Sequence, residues 1–185
     1  MRSRLSVLLL ATVFAAAAQA QTPKLQLGGY EQSLRMMEQG ECAKAQNRLL
    51  PNGHAMAGDE VIMSDLGECY LRAAKKQPDP ELAQRSREMG AGWILSAANA
   101  GVRSAQEVLV RLYLDGQVFF ADPYEAAKWY GLWVANHTQM HYGQIDFDAD
   151  LLKQINSFGQ DILLEAHDRA AKWRPTNLPT LKNAP

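Results

Sequence analysis

Few residues of this chain have the types and spacing to do chemistry. His137 and His141 stand four apart, a spacing that sets two imidazoles on one helix face as metal ligands. No Glu follows the first His, so the metalloprotease pattern is incomplete. Two ligands alone make a weak metal site, and the pair reads as polar residues of a surface loop. Asp146, Asp148 and Asp150 have the spacing of the first three ligands of a calcium loop. Such a loop needs Gly at its sixth position and Glu at its twelfth, where this chain has Leu151 and Ser157. These aspartates read instead as helix N-terminal residues, favoured there by capping and by the helix dipole. No Gly-x-Ser-x-Gly occurs, Ser96 and Ser104 lack a His–Asp context, and Gly28-Gly29 is too short for a phosphate loop. The expectation is no catalytic residue, no metal and no cofactor.

Cys42 and Cys69 are the two cysteines. They form no C-x-x-C and have no His near them in sequence, which argues against a metal site. In an oxidising compartment an even pair reads as a disulfide, the alternative being two buried thiols. Closing that loop would stabilise the fold by about 3 kcal/mol.

The N-terminus points to such a compartment. Arg2 and Arg4 precede an apolar run from Leu5 to Ala18, and Ala18-Gln19-Ala20 follows the small-x-small cleavage pattern. The run is shorter than the roughly 20 residues that span a bilayer. A signal peptide over 1–20 is expected, a retained anchor being the weaker alternative. The protein is then exported, periplasmic, and not inserted in the membrane after cleavage. Removing the first twenty residues takes away two arginines and moves the net charge from −1 to −3. An acidic chain without clustered Lys and Arg argues against nucleic acid as a partner.

The elements that would carry these residues are helices, since Ala, Leu, Glu, Gln, Lys and Met dominate and alternating β-branched runs are absent. Helices are expected over about 29–39, 41–50, 60–76, 80–99, 104–114, 123–136 and 148–156, and a last one from a cap at Ser157 to about 173. Gly40 ends the first, and Pro51 stops the second. Asp59 is the expected cap of the third. Asp79-Pro80 and Asp122-Pro123 each supply a cap and a proline at the first helical position. Ser157 and Gln160 have capping-box spacing. The segment from His137 to Phe147 reads as a loop.

An offset of 43 residues brings out an internal repeat. Leu66 meets Leu109, Tyr70 meets Tyr113, Leu71 meets Leu114, Asp79 meets Asp122, Pro80 meets Pro123, and Ala83 meets Ala126. Gly58 meets Gly101 as well. The matches fall on helix faces and at caps, where structure limits residue type. Past the second cap the register is lost. The segment after Pro80 runs about seven residues longer to its Ala-Asn, roughly two turns, so a long second helix is expected in the middle hairpin.

The best-patterned stretch reads Ala105, Leu109, Leu112, Tyr113, Gly116, Asp122, Glu125, Ala126, Trp129, Tyr130. It resembles the Sel-one-like repeat family, relatives of the tetratricopeptide repeats. YEQSLRMMEQGECAKAQNRLLP resembles that family's opening hairpin, and Ser157 to Pro175 its terminal helix. The middle repeat departs from the pattern: it lacks the Trp-Tyr pair, and Ala73 stands where Gly116 would be. The resemblance implies an all-α, short solenoid of about three antiparallel hairpins (29–51, 59–101, 102–136). A C-terminal capping helix over 148–173 would close a domain of 21–175, leaving 176–185 as an irregular tail.

It also implies a role in binding another protein or peptide on an extended concave surface. Leu66, Tyr70, Leu109, Leu112, Tyr113 and Trp129 are the expected core. Met63, Glu107, Val110 and Arg111 lie on helix sides that Leu109 and Leu112 do not use, and are the expected binding positions. Trp133 is the aromatic expected to stay partly exposed as an anchor. Glu125 and Lys128 read as solvated helix decoration. The competing expectation is a protein that binds, or hydrolyses, a cell-wall fragment or other small ligand. Its sign would be a pocket with convergent polar residues and a perturbed acid or base.

Overall fold

A computed structural model describes residues 29–49, 60–140 and 148–176, with the backbone alone at 137–140. The expected signal peptide, the Asp59 cap, Asp146 and His141 lie outside these residues, as does the side chain of His137. The described residues form eight helices and no strand, an all-α arrangement. They are α1 (Gly29–Glu38), α2 (Cys42–Leu49), α3 (Glu60–Lys76), α4 (Pro80–Asn99), α5 (Arg103–Asp115), α6 (Pro123–Met140), α7 (Ala149–Asn156) and α8 (Gln160–Lys172).

From α1 to α6 each helix packs on its neighbour in sequence: α1 on α2, α2 on α3, α3 on α4, α4 on α5, and α5 on α6. At the end of the chain, α7 and α8 both pack on α6. Two cores result. The smaller gathers Met37, Cys42, Ala45, Leu66, Cys69 and Tyr70 between α1, α2 and one face of α3. The larger runs from Ala91 and Ile94 of α4 through Leu109, Val110 and Leu112 to Trp129, Trp133, Leu151, Ile155 and Ala166. Met63 and Leu71, on another face of α3, pack against this second core.

A disulfide joins Cys42 to Cys69 and so ties α2 to α3 inside the smaller core. Tyr30 adds a second tie, its hydroxyl donating to Asp65 at 2.7 Å from α1 to α3. At the other end Trp173 meets Trp129 edge-on at 6.2 Å. The Thr176 N–H donates to the Asn99 carbonyl at 2.8 Å, satisfying one of the carbonyls that the end of α4 leaves open.

The two Asp-Pro devices act alike. Asp79 Oδ1 accepts from the N–H groups of Glu81 and Leu82 at 2.9 and 3.1 Å. Asp122 Oδ1 accepts from those of Tyr124 and Glu125 at the same two distances. The helix before each cap ends differently. Gly116 sits at φ +66 and stops α5, whereas Ala73, at the matching place, lets α3 run on to Lys76. A short turn then follows α3, and a longer loop follows α5, so the offset to the next cap is preserved.

Three expectations about elements are corrected. First, α6 does not stop near Asn136 but runs to Met140, so part of the expected loop is helix. From matching caps, α4 has 20 residues and α6 has 18. The apparent excess of seven shrinks to two, because Ala-Asn in α6 continues the helix where it was read as an end. Second, no capping box forms at Ser157: its hydroxyl donates to the Gln154 carbonyl at 2.6 Å, and α8 starts at Gly159 without a side-chain cap. Third, Glu125 and Lys128 are not solvated. Their ion pair is mostly buried, with the ammonium 4.5 Å from the Trp129 ring centre and Arg169 reaching Glu125 at 3.4 Å.

A candidate interaction groove

The expected binding residues separate into two groups. Val110, expected to point outward, is fully buried. Helix α5 lies between α4 and α6 and so buries more of its surface than one apolar stripe. Trp133, expected as a partly exposed anchor, is 3% exposed. It stands one turn beyond Trp129 on the same face, with Arg103 over its ring at 5.3 Å and Tyr130 beside it at 5.7 Å. Met63 is half-buried against the larger core. None of these three lines the groove described next.

Glu107 and Arg111 do. They stand on the exposed side of α5, four residues apart, joined at 3.1 Å. They line a cavity of about 460 Å³ bounded by α3 and α5, with Arg87 contributed by α4 and Gln117 and Val118 by the α5–α6 loop. The floor is apolar, made by Leu71, Val108, Leu112 and Val118. A second ion pair, Glu68 with Arg72 at 3.4 Å, lines the α3 side. Burial raises the Glu68 carboxyl above its ordinary value against the pull of Arg72, and the charges of Asp65 and Glu107 push the same way as burial.

Arg111 also reaches Asp148 at 2.9 Å, fixing the start of α7 against α5. Asp148 is a cap as well, accepting from the N–H groups of Asp150 and Leu151. The Arg111 guanidinium first, and the Leu151 N–H next, hold its carboxyl below the usual range. This is the capping role expected of the aspartate cluster. Among the described residues, no group of three or more His, Cys, Asp or Glu is placed to hold a metal ion.

Sequence reasoning missed Phe120. It is 97% exposed and stands two residues beyond Val118 in the loop that borders the groove. Its neighbour Phe119 turns inward and stacks on Tyr113 at 4.9 Å. The Phe-Phe pair was the available signal, since a loop of this length can tuck one ring against the core and leave the other out. The expected core residues Leu66, Tyr70, Leu109, Leu112 and Trp129 are buried, and Tyr113 is half-buried.

No family model, no curated protein and no solved structure matches this chain. Among the described residues no helix is long and apolar enough to cross a membrane.

Proposed function

We propose that this protein is an exported, non-enzymatic helical-repeat protein of the Sel-one-like type. In this reading α1 to α6 form a short solenoid of about three hairpins, and α7 with α8 closes its end. It works as a periplasmic adaptor or regulator by holding a segment of another protein in the groove between α3 and α5. The observation that carries this reading is an apolar-floored groove rimmed by charged side chains, with a bare Phe120 two residues along the chain from Val118 of its lining. Exposed aromatics beside a concave apolar surface are common interface anchors. The disulfide supports export, because such bonds persist in oxidising compartments. Helix-on-neighbour packing and the matching caps at Asp79 and Asp122 support the repeat reading.

The test is photocrosslinking in intact cells from Glu107 or Phe120, with Lys172 on the exposed side of α8 as the control position. A discrete partner recovered from the first two positions and not from Lys172 is expected. Absence of any adduct under several growth conditions, or equal capture at Lys172, would sink the reading. A second reading is favoured by one observation, the raised carboxyl of Glu68 in a groove it shares with Glu107. There the groove would hold, or cleave, a small cell-wall fragment. Its volume falls within the range of small-ligand sites. Calorimetric titration with muropeptide mixtures distinguishes the two.

A further inference from the structure

The groove holds charges of both signs, but they are not equally engaged. Two of its carboxylates have cationic partners, Glu68 with Arg72 and Glu107 with Arg111, while Asp115, at the end of α5, accepts from the neutral Gln117 N–H at 2.9 Å. Two cations do not have an acidic partner among the described residues. Lys75, one turn beyond Leu71 on α3, is exposed and has no hydrogen bond or ion pair among the described residues. Arg87 of α4 donates to the neutral Gln84 at 3.0 Å. Two cations without an acidic partner among the described residues thus stand on the α3 and α4 sides of an apolar floor, against one carboxylate without a cation, Asp115, at the end of α5.

Resting on the reading of the groove as a peptide site, we propose that its occupant is an acidic, apolar segment of a partner protein. Its apolar side chains lie on Leu71, Val108, Leu112 and Val118, and its carboxylates lie against Lys75 and Arg87. Charge complementarity of this kind selects a partner and speeds its encounter more than it adds affinity. Basic segments are rejected by the same two residues, since like charge brought together in a partly desolvated groove is costly.

The experiment uses three short fluorescein-labelled peptides: one alternating Leu with Glu, one alternating Leu with Lys, and one alternating Ser with Glu. Anisotropy is measured on the full mature protein and on two variants, Lys75→Glu/Arg87→Glu and Val118→Ser. The Leu–Glu peptide should bind at least tenfold more tightly than either other peptide. Charge reversal should weaken it at least tenfold and let the Leu–Lys peptide bind instead, and that gain shows the variant is folded. Val118→Ser, in a loop, should weaken binding without loss of helical signal. If the Leu–Lys peptide binds wild type as well, and Val118→Ser weakens both, the groove is a peptide site but its charge preference is wrong. If the Ser–Glu peptide binds as tightly as Leu–Glu, the floor plays no part and the proposal falls. If no peptide binds, or if none responds to either variant, it falls as well.

Discussion

Gly67 and Gly90 face each other across the α3–α4 pair with no room for a side chain on either. A Cβ on Gly90 would fall 2.8 Å from the Gly67 carbonyl oxygen, and one on Gly67 would fall 2.9 Å from that of Gly90. Counting 43 residues onward reaches Val110 and Trp133, both buried in the larger core. The two helix pairs thus use these positions differently: the first closes backbone to backbone, and the second buries a Val and a Trp there. Val110 and Trp133 are thus buried at the two positions that glycines hold 43 residues earlier.

The α3–α4 seam predicts opposite outcomes for two substitutions on one helix. Gly90→Ala gains helix propensity but drives a methyl into backbone, and should destabilise by a net 1–3 kcal/mol, roughly the cost of overpacking. Gly92→Ala meets nothing within 4 Å and should gain about 1 kcal/mol from propensity alone. Urea denaturation of both variants decides it. Shifts of the same sign would show that the α3–α4 seam is not tight at Gly90.

The matched caps at Asp79 and Asp122 predict matched losses. Each carboxylate satisfies two backbone N–H groups at the start of a long helix. Alanine at either position should cost about 1 kcal/mol, whereas Asn should be nearly neutral, because its amide oxygen accepts the same bonds. Thermal melts of the four single variants check this. An Asn variant as unstable as its Ala counterpart would mean that charge, and not hydrogen bonding, carries the cap.

Much of this architecture was legible because it is local. Helix starts at Asp79-Pro80 and Asp122-Pro123 depend on a few adjacent residues, and the stop at Gly116 depends on one. The Leu66 and Leu109 faces follow from period and offset. The site was less legible. Glu107 and Arg111 were found because they lie opposite the buried Leu109 and Leu112. Val110 and Trp133 were misplaced because the number of neighbours around a helix is a tertiary fact. Phe120 could not be told from Phe119, since only the Tyr113 stack distinguishes them. Ser157 was drawn from its expected capping box by a nearer acceptor, the Gln154 carbonyl.

The disulfide should matter chiefly for the smaller core. Cys42 and Cys69 are nearly inaccessible, and the bond closes a loop across 27 positions between α2 and α3. Replacing both with Ala should cost about 3 kcal/mol in the chain-entropy account. The loss should appear first as faster amide exchange in α1 and α2, because the larger core, from α4 onward, does not contain the bond. Exchange that rises uniformly through α6 would show instead that the two cores unfold as one unit.

Glu68 gives the pH dependence a definite sign. Its carboxyl titrates above the ordinary 4.5 in the folded protein, chiefly through burial, so folding favours the protonated form. The associated stability is complete below the ordinary value and is lost as pH rises through the raised one. Near neutral pH the charged side chain is therefore a small net cost despite its contact with Arg72. Glu68→Gln should raise the melting temperature near pH 7 by only ~1–2 °C, since the exposed pair it removes is worth little. Below about pH 4 the wild-type carboxyl is itself neutral, and the gain should vanish. Paired melts at the two pH values provide the measurement. A lower melting temperature for Glu68→Gln at neutral pH would show that the Arg72 contact outweighs burial, and that the groove wall depends on that ion pair for its stability.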